Sequence, residues 1–262
     1  MAEYALITGA SNGIGLELAR TAASNNYNLI LLARNAEKMM QLRAELEELY
    51  PIKVLAVGCD LTDPDAVEKV AALLQTRGIV PEILINNAGF GMYGPFEKIG
   101  TDTEENMIQL NITSLTDLTK VMYRQMRSRG SGKILNVSSI AGFMPGPCMS
   151  VYHATKAYVL SFTEALAVEA KGSGVTVTAL CPGPTETNFE NRASAGAGIS
   201  AFKKFGKLPT AAKVAQYGWK SMMKGKTVAI HGKQNRRMVF FSRFLPRETV
   251  ANLTGKFWAA GK

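Results

Sequence analysis

The amino-acid sequence predicts the α/β class: one doubly wound parallel sheet of about seven strands with helices on both faces, in a single domain over residues 1–262. Three observations predict it. Short apolar runs alternate with segments of helical apolar spacing, the rhythm of a parallel sheet covered on both sides. The first apolar run leads through a glycine-rich turn straight into a helix. A chain of 262 residues with 47% hydrophobic content is also long enough to fill one large core.

The first strand is expected over Tyr4 to Thr8, followed by the turn GASNGIG and a helix from about Ile14 to Asn25. Gly9, Gly13 and Gly15 allow a tight turn and let the backbone come close to a pyrophosphate. The helix behind them turns its N–H groups and positive dipole end toward that anion. The spacing GxxxGxG differs from the commoner GxGxxG. The turn residues Gly9, Ser11, Asn12, Gly13, Ile14 and Gly15 are therefore a candidate dinucleotide-binding set.

NLILLA, Asn28 to Ala33, reads as a second buried strand, and residues 36–49 as an amphipathic helix. A third strand runs from Lys53 to Gly58, with Thr62 and Asp63 capping the next helix and Pro64 in its first turn. The fourth strand, Glu82 to Ile85, runs into Asn86-Asn87-Ala88-Gly89. One long helix is expected from Thr103 to Arg129, with Asn111 near its middle as a local bend or buried amide. KILNVSS reads as a strand ending at Ser139, then comes a helix carrying Tyr152 to about Lys171. A sixth strand, Val175 to Leu180, leads into PGPTET. Residues 188–208, rich in Ala, Gly and Ser with Phe189, Phe202 and Phe205, suit a substrate lid. A helix from Thr210 to Lys224 and a strand from Thr227 to His231 complete the sheet.

The chemistry centres on Tyr152 and Lys156. Residues four apart share one helix face, and a cation beside a phenol favours the phenolate and lowers its pKa. The expectation is a pair that gives and takes a proton near neutral pH, with Ser139 delivered to the same point by its strand. Without a cofactor turn in the same chain, a Tyr and a Lys on a solvated face would be the better explanation of the spacing.

Composition narrows the rest. No apolar run approaches the ~18 residues of a membrane span, and MAEYALITG lacks a basic, signal-like start, so a cytoplasmic protein is expected. Three scattered cysteines, Cys59, Cys148 and Cys181, and two histidines, His153 and His231, form no metal or redox motif. The net charge of +9 is lopsided. Residues 1–199 carry 16 basic and 20 acidic groups, whereas residues 200–262 carry 14 basic groups and one acid, Glu248. That suggests either a solvated basic face or an anionic partner, but no nucleic-acid motif accompanies it, so no sequence-specific nucleic-acid binding is expected. Ser242 to Trp258 reads as a packed tail sealing the substrate pocket or making a subunit contact, with an amphipathic membrane-surface segment as the alternative.

Taken in order, TGASNGIG, Asp60, NNAG, Asn111, Ser139, YHATK and PGPTET resemble the short-chain dehydrogenase/reductase family over nearly the whole chain, and most of all its bacterial DltE-type branch. The resemblance implies a Rossmann-like fold and a catalytic set of Asn111, Ser139, Tyr152 and Lys156. Tyr152 would exchange the proton, Ser139 would bond the substrate oxygen, and Lys156 would hold the nicotinamide ribose and depress the Tyr152 pKa. Asn111 would support a water relay to Lys156. Asp60 and Leu61 would border the adenine, and Asn87, Ala88 and Gly89 the adenosine and ribose. Pro182, Gly183, Thr185 and Thr187 would meet the nicotinamide side.

NAD-selective members place a carboxylate at the end of the second strand. Here no acid stands between Asn28 and Ala36, and Arg34 and Asn35 follow Ala33, so NADP(H) is expected over NAD(H). The implied partners are a small-molecule carbonyl or alcohol and further copies of the chain, as a homodimer or homotetramer. Phe90, Met92, Tyr93, Met144, Cys148, Met149 and Phe189 are expected around the substrate. A 3-oxoacyl-thioester reductase and a non-catalytic NADP-binding redox sensor are the alternatives.

Overall fold

Apolar runs bounded by turn residues become strands, and β-branched and leucine-rich runs covered on both faces must pair in parallel. The structure, a computed structural model, describes residues 3–194 and 207–259. The strands are β1 (Tyr4–Thr8), β2 (Asn28–Ala33), β3 (Val54–Gly58), β4 (Ile83–Asn86), β5 (Gly132–Val137), β6 (Val175–Cys181) and β7 (Val228–Ile230). They form one sheet in the order β3-β2-β1-β4-β5-β6-β7, and every pair is parallel. This is the expected doubly wound, Rossmann-like sheet.

Alternation along the strands builds two cores. Leu29 and Leu31 of β2 face α1 (Gly13–Ser24) and α2 (Ala36–Leu49), in a cluster that also takes Val214, Trp219 and Met222. Ile30 and Leu32 face the opposite side, with α3 (Ala66–Thr76), Leu118 and Met122. The strand order reverses between β1 and its neighbour β4, which opens a crevice at the carboxyl ends of these strands.

Four elements differ from the sequence reading. The helix expected to be capped by Thr62 and Asp63 starts only at Ala66. Asp60 accepts from the Thr62 N–H at 3.0 Å and Asp63 from the Asp65 N–H at 3.0 Å, so successive side-chain turns hold the chain out of the helix. The long helix is divided into α4 (Thr101–Ile108), a π-helical turn (Gln109–Ser114) and α5 (Leu115–Arg129). Strand β5 stops at Val137, two residues before Ser139. Of the 188–208 segment, residues 195–206, including Phe202 and Phe205, lie outside the described residues, while α7 (Phe189–Ala193) is tied down where Ala193 O accepts from Tyr93 N at 2.7 Å.

The catalytic-helix candidate is α6 (Ser150–Glu169), and α8 (Ala211–Met223) packs beside α1. The C-terminal stretch folds into two helices the sequence reading did not delimit, α9 (Lys233–Ser242) and α10 (Arg247–Ala259).

Candidate active site

The turn after β1 is built around close approaches. Gly9 and Gly13 sit at φ +66° and +56°, where a side chain is strained. A Cβ on Gly15 would collide with the Gly9 carbonyl oxygen and the Asn87 side-chain amide. That amide donates to the carbonyls of Thr8 at 3.0 Å and Gly9 at 3.2 Å. Thr8 Oγ1 in turn accepts from the N–H groups of Asn87 and Ala88 at 3.0 and 2.9 Å. The ends of β1 and β4 are thus locked together around the crevice.

A cavity of about 970 Å³ occupies this crevice and runs from the glycine turn past Ser139, Tyr152 and Lys156 to the C-terminal helices. On its wall lie Gly9, Ser11, Asn12, Gly13 and Ile14, then Arg34, Asn35, Asp60 and Leu61. Asn87, Ala88 and Gly89 follow, and Pro182, Gly183, Thr185 and Thr187 line it from the segment after β6. Two predicted site residues are not on the wall. Gly15 serves from behind, as the close contact that lets α1 reach the turn. Asn111 is 1% exposed in the π-helical turn. Its amide donates to Phe90 O at 2.9 Å and to Thr155 Oγ1 at 3.1 Å, while its Oδ1 accepts from Phe90 N at 3.2 Å. The π turn presents this amide sideways, so Asn111 fixes the backbone that carries Gly89 and Phe90 instead of touching the cavity.

Ser138 and Ser139 separate clearly. Ser138 Oγ is spent on Lys156 O at 2.8 Å, whereas Ser139 Oγ donates to Pro182 O only at 3.4 Å and accepts from Ala141 N at 3.1 Å. Lys156 is 6% exposed, and its Nζ donates to Val137 O at 2.9 Å and lies 5.8 Å from the centre of the Tyr152 ring. Tyr152 is partly buried on the cavity wall, and its removal from bulk water pushes its phenol up to about 12, with the Ser139 hydroxyl acting the other way. Burial also pulls the Lys156 ammonium down to about 8, with the Cys181 thiol acting the other way. Burial, and not the lysine, sets the direction of the Tyr152 shift. Desolvation outweighs the attraction across that distance, and Tyr152 is a neutral phenol at pH 7.

The glycine-turn arm fits a dinucleotide. Gly9, Ser11, Asn12, Gly13 and Ile14 line it where α1 begins, and a Cβ at Gly13 would stand 3.1 Å from Thr187 Cγ2. Beyond Ala33 the wall carries Arg34, which lies 3.9 Å from Asp60, and Lys38, which the sequence reading missed. Lys38 lies in the first turn of α2, four residues after Arg34, and that proximity in the chain was the available signal. The Asn35 side chain is committed to capping α2, accepting from Lys38 N at 2.9 Å.

The other arm is apolar. Phe90, Met144, Met149 and Phe189 line it as expected, and the Phe189 ring centre lies 5.3 Å from that of Tyr152. Met92, Tyr93 and Cys148 are not on the wall. Tyr93 instead packs on Trp258 and donates to its carbonyl at 3.1 Å. The missing walls come from the C-terminal helices, through Met238, Phe241, Leu245, Leu253, Phe257 and Trp258. His153, also missed, is held by Met144 O at 2.8 Å, and burial lowers its pKa.

Comparison with known proteins agrees with this geometry. The family profile described as short chain dehydrogenase matches residues 3–198. Over 184 residues the chain is 35% identical to 17-beta-hydroxysteroid dehydrogenase type 3 of Mus musculus, covering 70% of this chain and 60% of that protein. It thus spans less than two thirds of the length of that relative. It is 36% identical over 190 residues to a putative ketoacyl reductase of Streptomyces coelicolor, covering 71% of each. A solved short-chain dehydrogenase from Sphingobium yanoikuyae in complex with NADPH superposes with a TM-score of 0.82 at 31% identity, covering 92% of this chain and 94% of that one. Fold, glycine turn, Ser139–Tyr152–Lys156 cluster and profile match agree, and the chain belongs to the short-chain dehydrogenase family.

Proposed function

We propose that this protein is an NADP(H)-dependent oxidoreductase acting between a bulky apolar carbonyl compound and its secondary alcohol, with Tyr152 as general acid and base. The observation that carries this reading is the position of Tyr152 and Ser139. They stand in one continuous cavity between a glycine-lined arm shaped for a dinucleotide and an arm walled by Phe90, Met144, Met149, Phe189 and Trp258. When bound, the cofactor supplies or accepts a hydride at the carbonyl carbon. Ser139 Oγ–H and Tyr152 O–H donate to the substrate oxygen, where negative charge grows, and the Tyr152 proton passes to it. A neutral phenol at pH 7 is the right form for that donation. Lys156 keeps two donors beyond its bond to Val137 O, and these serve the ribose hydroxyls. Tyr152 regains a proton by way of Lys156. Close packing keeps the neighbouring position a glycine: a Cβ on Gly89 would come within 2.9 Å of Asn111 Oδ1 and 3.4 Å of Lys156 Nζ.

The cofactor preference is supported by the absence of an acid at the end of β2, by Arg34 and Lys38 on the cavity wall, and by the NADPH held in the Sphingobium relative. An anion at the adenosine 2′ position would meet two cations there.

Steady-state kcat/KM with NADPH and NADH, against bulky ketones, aldehydes and 3-oxoacyl thioesters, tests the reading. NADPH should be preferred, and Arg34→Ala should remove most of that preference. Tyr152→Phe should lower kcat by roughly 10²–10⁴ while NADPH binding is kept. A preference for NADH in the unmodified protein refutes the cofactor assignment, and near-normal turnover in Tyr152→Phe refutes the catalytic one.

A further inference from the structure

The two C-terminal helices close the cavity with one side and leave an unusual surface on the other. Phe240, Phe241 and Phe244 are 54%, 63% and 71% exposed. Their rings form a cluster in water, with Phe240 5.5 Å from Phe241 and 5.3 Å from Phe244, both edge to face. Met238, Phe241, Leu245 and Leu253 belong both to the cavity wall and to the exposed apolar surface. The apolar arm of the site therefore continues outward onto the protein exterior. Single exposed apolar residues are ordinary, but a contiguous aromatic patch marks an interaction surface.

The charges around the patch identify its partner. Arg236, Arg237, Arg243 and Arg247 are all exposed, with Glu248 the one acid on either helix. Among the described residues none of these arginines is within ion-pair distance of a carboxylate. Aromatic and aliphatic side chains ringed by unpaired arginines match the boundary of an anionic bilayer, where rings enter the acyl edge and guanidinium groups meet phosphates. A second copy of the chain is a poor fit, because a two-fold contact would set arginines against arginines. Among the described residues no helix is long and apolar enough to cross a membrane, so the contact is peripheral.

We propose that the Phe240–Phe244 patch docks the protein on an anionic lipid bilayer with the cavity mouth turned toward the lipid. A lipophilic carbonyl compound would then enter from the bilayer without crossing water. That consequence rests on the proposed carbonyl chemistry, whereas the docking itself does not.

Co-sedimentation of the full chain with vesicles tests the docking without any turnover. Vesicles of phosphatidylglycerol and phosphatidylcholine in equal parts should retain the protein, and vesicles of phosphatidylcholine alone should retain far less. Phe240→Ser with Phe244→Ser, two positions off the cavity wall, should weaken retention about tenfold per ring. Arg237→Gln with Arg243→Gln should weaken it about fivefold per charge at low salt. Retention should also fall as salt is raised. Both pairs change exposed side chains, and a circular dichroism spectrum like the parent's shows that they fold. Failure to sediment with anionic vesicles, equal retention by both vesicle types, or retention unchanged in both double variants overturns the proposal. So does a concentration-dependent dimer that the phenylalanine changes abolish, or capture of an acidic carrier protein in preference to the vesicles.

Discussion

Replacing Lys156 by Met should end turnover and at the same time make the nucleotide-free protein more stable at neutral pH. The ammonium is 6% exposed, and burial brings its pKa from the ordinary 10.5 to about 8. Keeping it charged in the folded state at pH 7 therefore costs about 3 kcal/mol relative to the unfolded chain. Methionine fills similar volume without a charge. It gives up the 2.9 Å bond to Val137 O, and leaving that carbonyl without its donor costs about 1 kcal/mol. The net expectation is a gain of about 2 kcal/mol at pH 7.

The sign with pH follows from the lowered value. Between about pH 8 and 10.5 the unfolded chain still binds the lysine proton and the folded chain does not, so wild-type stability rises with pH in that window. The advantage of Lys156→Met must shrink there and vanish near its upper end. Tyr152, raised to about 12, removes stability only above about pH 10, equally in both proteins, and cancels in the difference. Urea unfolding at about pH 7 and about pH 10 measures both effects. A variant less stable than wild type at neutral pH, or a difference that does not change with pH, would refute the reasoning that Lys156 is a buried charge kept for function.

Three further outcomes are expected. Gly15→Ala drives a methyl into the Gly9 carbonyl and the Asn87 amide, and should cost about 1–3 kcal/mol of stability and at least about tenfold in NADPH affinity, read by thermal unfolding and fluorescence titration; unchanged affinity would show that the turn tolerates displacement. Asn136→Leu removes the acceptor of Asn86 Nδ2 (2.9 Å) and the donor to Thr163 Oγ1 (3.0 Å) in a fully buried amide and hydroxyl chain under the site, and should lower the urea stability by about 2–3 kcal/mol. Gly89→Ala brings a methyl within 2.9 Å of Asn111 Oδ1 and 3.4 Å of Lys156 Nζ, and should lower kcat by displacing the lysine; an unchanged kcat would show that the neighbours yield without disturbing Lys156.

Much of the fold was legible because its signals are local. The bounds of β2 and α2 follow from an apolar run and a period of 3.6 over a dozen residues, and the structure keeps both at 28–33 and 36–49. The glycine turn was readable for the same reason, since backbone geometry between a strand and a helix selects its residues. Tyr152 and Lys156 fall on one helix face by their spacing alone. Legibility ended where a side chain's role depends on partners far along the chain. The cap at Thr62 and Asp63 lost to turns made by Asp60 and Asp63 themselves. The C-terminal walls of the cavity carried no strong period, because their apolar residues are divided between the pocket and the exposed patch.

The sequence by itself determined the strand order's ingredients, the turn that receives a dinucleotide, and the presence of a hydroxyl, a phenol and an amine at one strand end and one helix. Tertiary structure alone decided their chemical states. Asn111 was expected to support a water relay, and only the fold shows its amide bonded to the Phe90 backbone, 21 residues away in the chain. Spacing to Tyr152 favoured Ser139 over Ser138, and only the fold shows the Lys156 carbonyl, 18 residues on, occupying Ser138. Tyr152 was expected to be lowered by its lysine, and burial raises it. Spacing fixes which groups are neighbours, but a proton's affinity depends on how much water is removed around them, and that is a sum over contacts from β1, β4, β5, β6 and the helices packed on them.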